Sequence, residues 1–225
     1  MANSTDRAIA RIREMIVDGD LKPGDRLPPE KQLGETIGVS RNSLREAVKA
    51  LEVMRVLDVR QGDGTYVTSL DASVIAEALT LVLELHRDDS ILEMLEMRRV
   101  LEPHATAKAA LKIDDATLTA LADELRNLDD ATGVDDLVAH DLAFHRAIAQ
   151  ASGNRHLAGL LDALAGSTLR VRIWRGLTDS GAVPRTLAEH RAILRALQAR
   201  DPELARLWAT VHVRGVETWL EESAL

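Results

Sequence analysis

The sequence predicts a mainly α-helical protein with an N-terminal winged helix-turn-helix of three helices and a β-hairpin, and a C-terminal antiparallel bundle of six or seven helices. Two observations support this prediction. Residues 1–70 contain three stretches with apolar side chains at helical spacing, followed by two short β-prone runs on either side of a glycine-containing turn. Residues 71–225 show helical periodicity almost throughout and no strand pattern. We therefore expect one domain at residues 1–70 and a second at residues 71–225.

Three helices, at residues 5–18, 29–38 and 41–54, are predicted in the first domain. Gly19 ends the first helix, and the second has a proline in its first turn and ends at Gly38. Ser40 can cap the third helix. Only two residues separate the second helix from this cap, and such a short turn containing glycine is typical of a helix-turn-helix.

Two strands, at residues 56–60 and 65–68, are predicted after the third helix. They flank the tetrapeptide Gln-Gly-Asp-Gly at 61–64, whose glycines can adopt the positive φ angles of a hairpin turn. A helix-turn-helix followed by a hairpin is a winged helix. We expect Gly62 and Gly64 to let the hairpin backbone approach the sugar-phosphate chain of DNA closely.

The third helix carries Arg41, Asn42 and Arg45 on the face opposite its apolar side. Arginine can form two hydrogen bonds with guanine O6 and N7 in the major groove. Ser40 and the helix N-terminus suit a backbone phosphate. A solvated basic helix face is the alternative interpretation. The agreement of turn, helix face and hairpin favours binding of double-stranded DNA.

Composition and charge narrow the remaining possibilities. The chain has no Cys, which excludes a disulfide scaffold, a zinc ribbon and a thiol nucleophile. Its longest run without a charged residue is eight residues, whereas a membrane helix needs about 20 apolar residues, so we expect no membrane span. The N-terminus lacks the apolar core of a signal peptide, which favours a cytoplasmic location. Residues 1–70 have no net charge, so the net charge of −8 comes from residues 71–225. All seven His also lie in residues 71–225.

Seven helices are predicted in the second domain from their periodicity and capping residues. Asp115 and Asp201 are good N-caps, and Gly153-Asn154 and Ser180-Gly181 mark breaks. The predicted helices span residues 72–85, 91–111, 116–128, 135–151, 156–177, 186–199 and 202–222.

Four metal-ligating residue types fall on the apolar stripes of three of these helices. Asp141 and His145 share one face of helix 135–151, His190 lies on the stripe of helix 186–199, and His212 on that of helix 202–222. Neutral imidazoles and a carboxylate suit zinc, nickel or manganese. His140 is turned about 100° away from Asp141 and is not included. The alternative is that each His is a satisfied core residue and Asp141–His145 a helical pair.

Four motifs occur in order within residues 5–69: LPPEKQL at 27–33, GVSR at 38–41, LREA at 44–47 and GDGTYV at 62–67. With these motifs, residues 5–69 resemble the DNA-binding domain of the GntR family of bacterial transcription regulators. The resemblance implies DNA contacts by Lys31, Arg41, Arg45, Gly62 and Gly64. Relatives often have Arg where this chain has Lys31, and Lys cannot make a forked contact, so a phosphate contact is the expected role.

A second series of segments lies within residues 73–222: EMR at 96–98 with LEP at 101–103, DLAFH at 141–145, ASGN at 151–154, EH at 189–190, and His212. With these segments, residues 73–222 resemble the effector domain of the FadR-type branch of that family. The resemblance implies a divalent metal held by Asp141, His145, His190 and His212. It also implies a small organic or sugar acid as effector, as in most members of the family. Acyl-CoA is not expected, because members that bind acyl-CoA lack these four metal ligands.

Four further residues are candidates for binding such an effector. Arg98 lies on the apolar stripe of helix 91–111 and could clamp a carboxylate, although an internal ion pair between Arg98 and Glu102 is an equal alternative. Asn154, Arg172 and Arg175 are candidates by position alone.

The sequence therefore predicts a homodimeric transcription repressor that binds a DNA operator and responds to a small carboxylate at a metal-containing pocket. No His-Glu-x-x-His, Gly-x-Ser-x-Gly or phosphate loop is present, so we do not expect an enzyme. Three alternatives are a hydrolytic metal centre, a purely structural metal, and a regulator for which the metal is itself the signal.

Overall fold

The computed structural model describes residues 3–70 and 90–223. The chain divides into two compact units, Met1–Val74 and Ile75–Leu225, which are described separately below. The helix predicted at residues 72–85 lies outside the described residues. None of the helices within the described part of the chain is long and apolar enough to cross a membrane.

The first unit has the three predicted helices: α1 (Ser4–Val17), α2 (Glu30–Ile37) and α3 (Arg41–Val53). Asn3 caps α1; its side chain and that of Asp6 form a reciprocal capping box. Gly38 ends α2 in the left-handed conformation, with φ of 73°. This leaves one residue before the Ser40 cap of α3 and so sets the sharp turn between the two helices.

The hairpin consists of β1 (Leu57–Arg60) and β2 (Gly64–Val67), which pair antiparallel with Leu57 opposite Val67 and Arg60 opposite Gly64. Gly62 in the turn has φ of 78°, a conformation that favours glycine. The hairpin and the three helices share one core, which confirms the predicted winged helix-turn-helix. That core contains Ala8, Ile12, Leu21, Leu27, Leu33, Leu44, Ala47, Leu51, Leu57 and Val67.

The second unit is entirely helical within its described residues and confirms the predicted helical domain. Its helices are α4 (Ser90–Ala110), α5 (Asp115–Arg126), α6 (Val134–Ala151), α7 (Arg155–Ser167), α8 (Leu169–Thr178), α9 (Ala182–Gln198) and α10 (Pro202–Ser223).

Three boundaries in this unit differ from the sequence prediction. Residues 156–177 form two helices, because Thr168 lies between them outside helical geometry, with its buried hydroxyl donating to Leu164 O. Helix α9 begins at Ala182 instead of residue 186, since Pro184 fits in a first turn, where its missing N–H has no partner to lose. Asp114, rather than Asp115, caps α5.

Helices α6, α9 and α10 direct one face each toward the interior, and α4 packs along α10. Phe144 of α6, Leu187 of α9 and Ala209 of α10 belong to one buried cluster that also includes residues of α5. The polar residues predicted as metal ligands lie on these interior faces of α6, α9 and α10. The packing of these helices with α4 therefore determines whether the ligands meet.

Candidate functional site

The N-terminal end of α3 is an exposed polar surface. Arg41 and Asn42 are exposed, and neither side chain has a bonding partner among the described residues of this unit. Arg45, one turn further on, has its Nε 3.1 Å from Oε2 of Glu30 on α2. Lys31 is also exposed on α2. The side chains of α2 and α3 that are predicted to contact DNA are therefore accessible to solvent. One of them, Arg45, forms an ion pair with Glu30.

Ser40 has a structural role at this surface. Its Oγ accepts a hydrogen bond from the backbone N–H of Ser43 at 3.1 Å, which caps α3. The remaining N–H groups of the first turn stay directed outward, as in other helix termini that bind anions.

The hairpin tip is fixed by a residue that the sequence analysis did not single out. Arg26 donates to the carbonyl of Asp63 and pairs with Tyr66 in an isolated bridge. A Cβ placed on Gly64 would collide with the Arg26 guanidinium. Glycine at position 64 leaves room for the Arg26 guanidinium in this position, whereas a positive φ favours glycine at position 62.

The four predicted metal ligands converge inside the second unit. Asp141 and His145 come from α6, His190 from α9 and His212 from α10, and one donor atom of each lies within 4.8 Å of all the others. Oδ1 of Asp141 is 3.5 Å from Nε2 of His145, 3.4 Å from Nε2 of His190 and 3.6 Å from Nε2 of His212. The i, i+4 spacing of the α6 pair and the inward faces of α9 and α10 produce this arrangement.

Each of the three imidazoles has a partner for its other nitrogen. Nδ1 of His212 is 2.9 Å from Glu189 Oε2, and Nδ1 of His145 is 3.4 Å from Glu102 Oε2. Nδ1 of His190 is 3.0 Å from Nε2 of His140, the histidine that the sequence analysis set aside. All three Nε2 atoms are left facing the centre of the cluster, which is how histidine ligands are oriented around a metal.

Asp141 divides its two oxygens between different partners. Oδ1 faces the imidazoles, and Oδ2 accepts a hydrogen bond from Arg172 of α8. Burial disfavours the charge on Asp141, but Arg172 and His145 outweigh burial and hold the pKa of this carboxyl well below its usual range. The carboxylate is therefore ionised, with one oxygen available to a cation.

The electrostatics of the cluster favour positive charge at its centre. Burial lowers the pKa of His145 and lowers that of His190 well below its usual range, so both rings are neutral. Burial also opposes protonation of His212, yet hydrogen bonds to Asp141 and Glu189 raise the pKa of His212 to about 9. Three imidazoles around a carboxylate thus accommodate one positive charge.

The donor set fits a divalent metal ion. The Nε2 of His190 is buried and has no hydrogen-bond partner, which is costly unless another group satisfies it. Two donors bonded to one ion at about 2.0–2.2 Å lie roughly 3–4 Å apart, and Nε2 of His145 and Nε2 of His212 are 3.1 Å apart. These residues could hold zinc, nickel or manganese.

A narrow cavity of about 20 Å³ lies beside the cluster, with Asp141, His212, Arg172 and Arg175 in its walls. Nε and Nη2 of Arg175 are buried without a hydrogen-bond partner, and so is Nε of Arg172; Asp179 Oδ2 lies 3.7 Å from Arg175 Nε. The cavity walls therefore include two arginines with buried N–H groups that lack a hydrogen-bond partner, next to the metal-ligating atoms.

Two other effector candidates do not line this cavity. Arg98 is 1% exposed and forms the internal ion pair with Glu102 that was the alternative interpretation; it also donates to Thr168 Oγ1 at 3.0 Å. Asn154 caps α7 by accepting from the N–H groups of His156 and Leu157. Both side chains have their polar atoms engaged within the fold.

Comparison with known proteins identifies both units. Residues 4–67 match the family described as "Bacterial regulatory proteins, gntR family", and residues 93–215 match the "FCD domain". The chain is 33% identical over 209 residues to the HTH-type transcriptional regulator LutR of Bacillus subtilis, covering 90% of this chain and 94% of LutR. The chain belongs to the GntR family of bacterial regulatory proteins.

Further relatives agree with this GntR assignment. The Galactonate operon transcriptional repressor of Escherichia coli is 28% identical over 229 residues, which cover 98% of both chains. A solved structure, Streptococcus agalactiae GntR, is 26% identical with a TM-score of 0.72, covering 95% of this chain and 99% of that one. This GntR protein is thus a DNA-binding transcription regulator, not an enzyme, and its FCD domain is a metal-binding effector domain.

Two substitutions at Ser40 separate its capping role from a contact with DNA phosphate. Ser40→Ala removes the cap and should lower the free energy of unfolding by about 1 kcal/mol. Ser40→Asp keeps the cap, so stability measured by urea denaturation should be close to wild type. Its carboxylate would repel a phosphate, so affinity for operator DNA, measured by fluorescence anisotropy, should fall several-fold. Wild-type affinity in Ser40→Asp would show that no phosphate approaches this helix end.

Proposed function

We propose that the chain is a transcription repressor whose affinity for its operator is controlled by a small organic acid bound beside a divalent metal. The observation that carries the proposal is the position of the cavity. One wall holds Asp141 and His212 of the four-donor cluster, and another holds Arg172 and Arg175 with unused N–H groups.

The metal ligands in this proposal are Asp141, His145, His190 and His212. The carboxylate supplies negative charge, and each ring supplies a nitrogen lone pair once His212 has released its proton. Glu189 and His140 lie within hydrogen-bond distance of the outer nitrogens of His212 and His190 and so fix the direction of their lone pairs, and Glu102 lies 3.4 Å from that of His145. When bound, zinc, nickel or manganese supplies a positive charge and a Lewis-acidic centre to which an effector oxygen can bind.

The effector in this proposal is a small carboxylate. A buried guanidinium with unpaired N–H groups is costly, and a carboxylate can accept from two of them at once. Arg175 offers two such groups and Arg172 one, although Arg172 is also bonded to Asp141. The E. coli relative described above is named for a galactonate operon, and galactonate is a carboxylate.

A homodimer acting on a pseudo-palindromic operator is the expected assembly, since two-fold symmetry of the protein then matches that of the DNA. Binding of double-stranded DNA involves Lys31, Arg41, Asn42, Arg45 and the hairpin in each copy. The effector alters operator affinity by binding one state of the dimer more tightly than the other. The DNA target places this activity in the bacterial cytoplasm.

Operator titration tests the DNA-binding residues. Arg41→Ala and Arg45→Ala should each weaken binding by about 1–3 kcal/mol if these side chains read bases. The measurement is fluorescence anisotropy at fixed salt on DNA from the region upstream of the gene, with random DNA for comparison. Arg155→Ala, an equal change of charge at an exposed position of α7, should have no effect. Equal losses on operator and random DNA would instead assign the arginines to phosphates.

Elemental analysis tests the metal ligands. His190→Ala should lose most of the metal that the wild-type protein retains after dialysis, because one buried donor is removed. The matched control is His156→Ala, which removes an exposed histidine on α7 and should retain the wild-type metal content. Unchanged metal in His190→Ala would remove this residue from the ligand set.

A thermal-shift screen of organic acids tests the effector site. A carboxylate that binds should raise the melting temperature of the wild-type protein and change its affinity for the operator. Arg175→Gln should abolish both effects while keeping the metal, and Arg170→Gln, on an exposed position of α8, should keep both. If no acid alters operator affinity but metal titration does, the metal itself is the signal.

A further inference from the structure

We propose that Glu124 and His140 act as a pair that positions His190 for metal binding and thereby links helix α5 to metal retention. The inference rests on the metal site proposed above and adds two residues of this chain to it. Neither residue belongs to the four-donor cluster. Glu124 lies on α5, which contributes no ligand, and His140 precedes Asp141 on α6.

The geometry is a continuous chain of hydrogen bonds. Nδ1 of His140 is 2.9 Å from Oε1 of Glu124, and Nε2 of His140 is 3.0 Å from Nδ1 of His190. The side chain of His140 is 2% exposed, so water does not compete for these nitrogens. Phe144 stacks on the ring of His190, with centroids 4.3 Å apart and planes 12° from parallel, which holds that ring in place.

The direction of these hydrogen bonds follows from the role of His190. A neutral imidazole has one N–H donor and one lone pair. If Nε2 of His190 directs its lone pair to the cluster, its Nδ1–H must donate to Nε2 of His140. The Nδ1–H of His140 then donates to the carboxylate of Glu124. Both ring nitrogens of His140 and Nδ1 of His190 are then paired, and the pair selects the tautomer of His190 that can bind a metal.

A comparison of the three histidine ligands shows why a residue is needed between His190 and the nearest carboxylate on its Nδ1 side. His212 and His145 each have a buried carboxylate at Nδ1, from Glu189 and Glu102. Among the described residues no carboxylate is within ion-pair distance of Nδ1 of His190. His140 occupies the position of such a carboxylate and connects His190 through hydrogen bonds to Glu124. The side chain of Glu124 is 39% exposed at the surface of α5. Of the three outer partners, this one alone leads to a solvent-accessible residue.

Substitution of His140 tests its positioning role. The experiment measures the affinity of the full-length chain for Zn²⁺ by competition with a chromophoric chelator. His140→Phe keeps an aromatic ring beside Phe144 but removes the acceptor, and it should lower Zn²⁺ affinity about 10–100-fold. His140→Gln can place an acceptor near the same position and should lose less. His140→Phe should lower the melting temperature more in the Zn²⁺-loaded protein than in the chelator-treated protein, each compared with wild type in the same state, whereas a purely structural role would lower both equally.

Substitution of Glu124 tests the link to α5. Glu124→Ala should weaken Zn²⁺ binding, while Asp123→Ala, an exposed acidic residue beside it, should not. The double variant His140→Phe/Glu124→Ala should bind Zn²⁺ no more weakly than His140→Phe alone, because Glu124 acts only through His140. Additive losses would overturn the proposed pair, as would wild-type Zn²⁺ affinity in both Glu124→Ala and His140→Phe.

Two failures can be told apart. If the wild-type protein binds none of Zn²⁺, Ni²⁺ and Mn²⁺, the metal site itself is wrong, and the role of His140 fails with it. If the wild-type protein binds Zn²⁺ and the variants bind it equally well, only the role of Glu124 and His140 is overturned.

Discussion

The buried carboxylate of Asp141 is the interaction on which the second unit depends. Moving a carboxylate out of water costs several kcal/mol unless opposite charge and hydrogen bonds compensate. Here one oxygen faces imidazoles from α6, α9 and α10, and the other accepts from Arg172 of α8. Four helices must therefore be correctly placed around this single group, so the arrangement of the bundle and the chemistry of the site cannot vary independently.

The same compensation extends outward through a series of buried contacts. Arg98 is buried against Glu102, and Glu102 contacts Nδ1 of His145, which in turn faces Asp141. A buried network of this kind is stable only when each member is satisfied. Arg98, which the sequence suggested as an effector clamp, is better explained as the group that permits Glu102 to be buried. Its charge supports the site from outside it.

Much of the site could be predicted because helical periodicity reveals which side chains face inward. Asp141, His145, His190 and His212 were identified on that basis, but periodicity does not show which helices are neighbours, and the family resemblance supplied that step. His140 could not be predicted in this way because an apolar stripe defines only one interior face for each helix. Helix α6 contacts α5 as well as the core, so a residue turned about 100° from Asp141 is also buried.

The fold of the first unit was predictable for a related reason: its caps, turns and strands are encoded by nearby residues. The hairpin tip was the exception. Arg26 and Gly64 are far apart in sequence, and no local pattern indicates that one packs against the other. The break at Thr168 was also missed, because it depends on a buried hydroxyl and on Arg98 from another helix.

The small size of the cavity beside Asp141 determines how any ligand must arrive. About 20 Å³ accommodates one water molecule and nothing larger. For the organic acid proposed as effector to enter, the walls formed by α6, α8, α9 and α10 would have to separate. Part of its intrinsic binding energy would then be spent on opening, and the observed affinity would be reduced by the fraction of molecules that are open. Binding of such a ligand and rearrangement of the bundle would be one event.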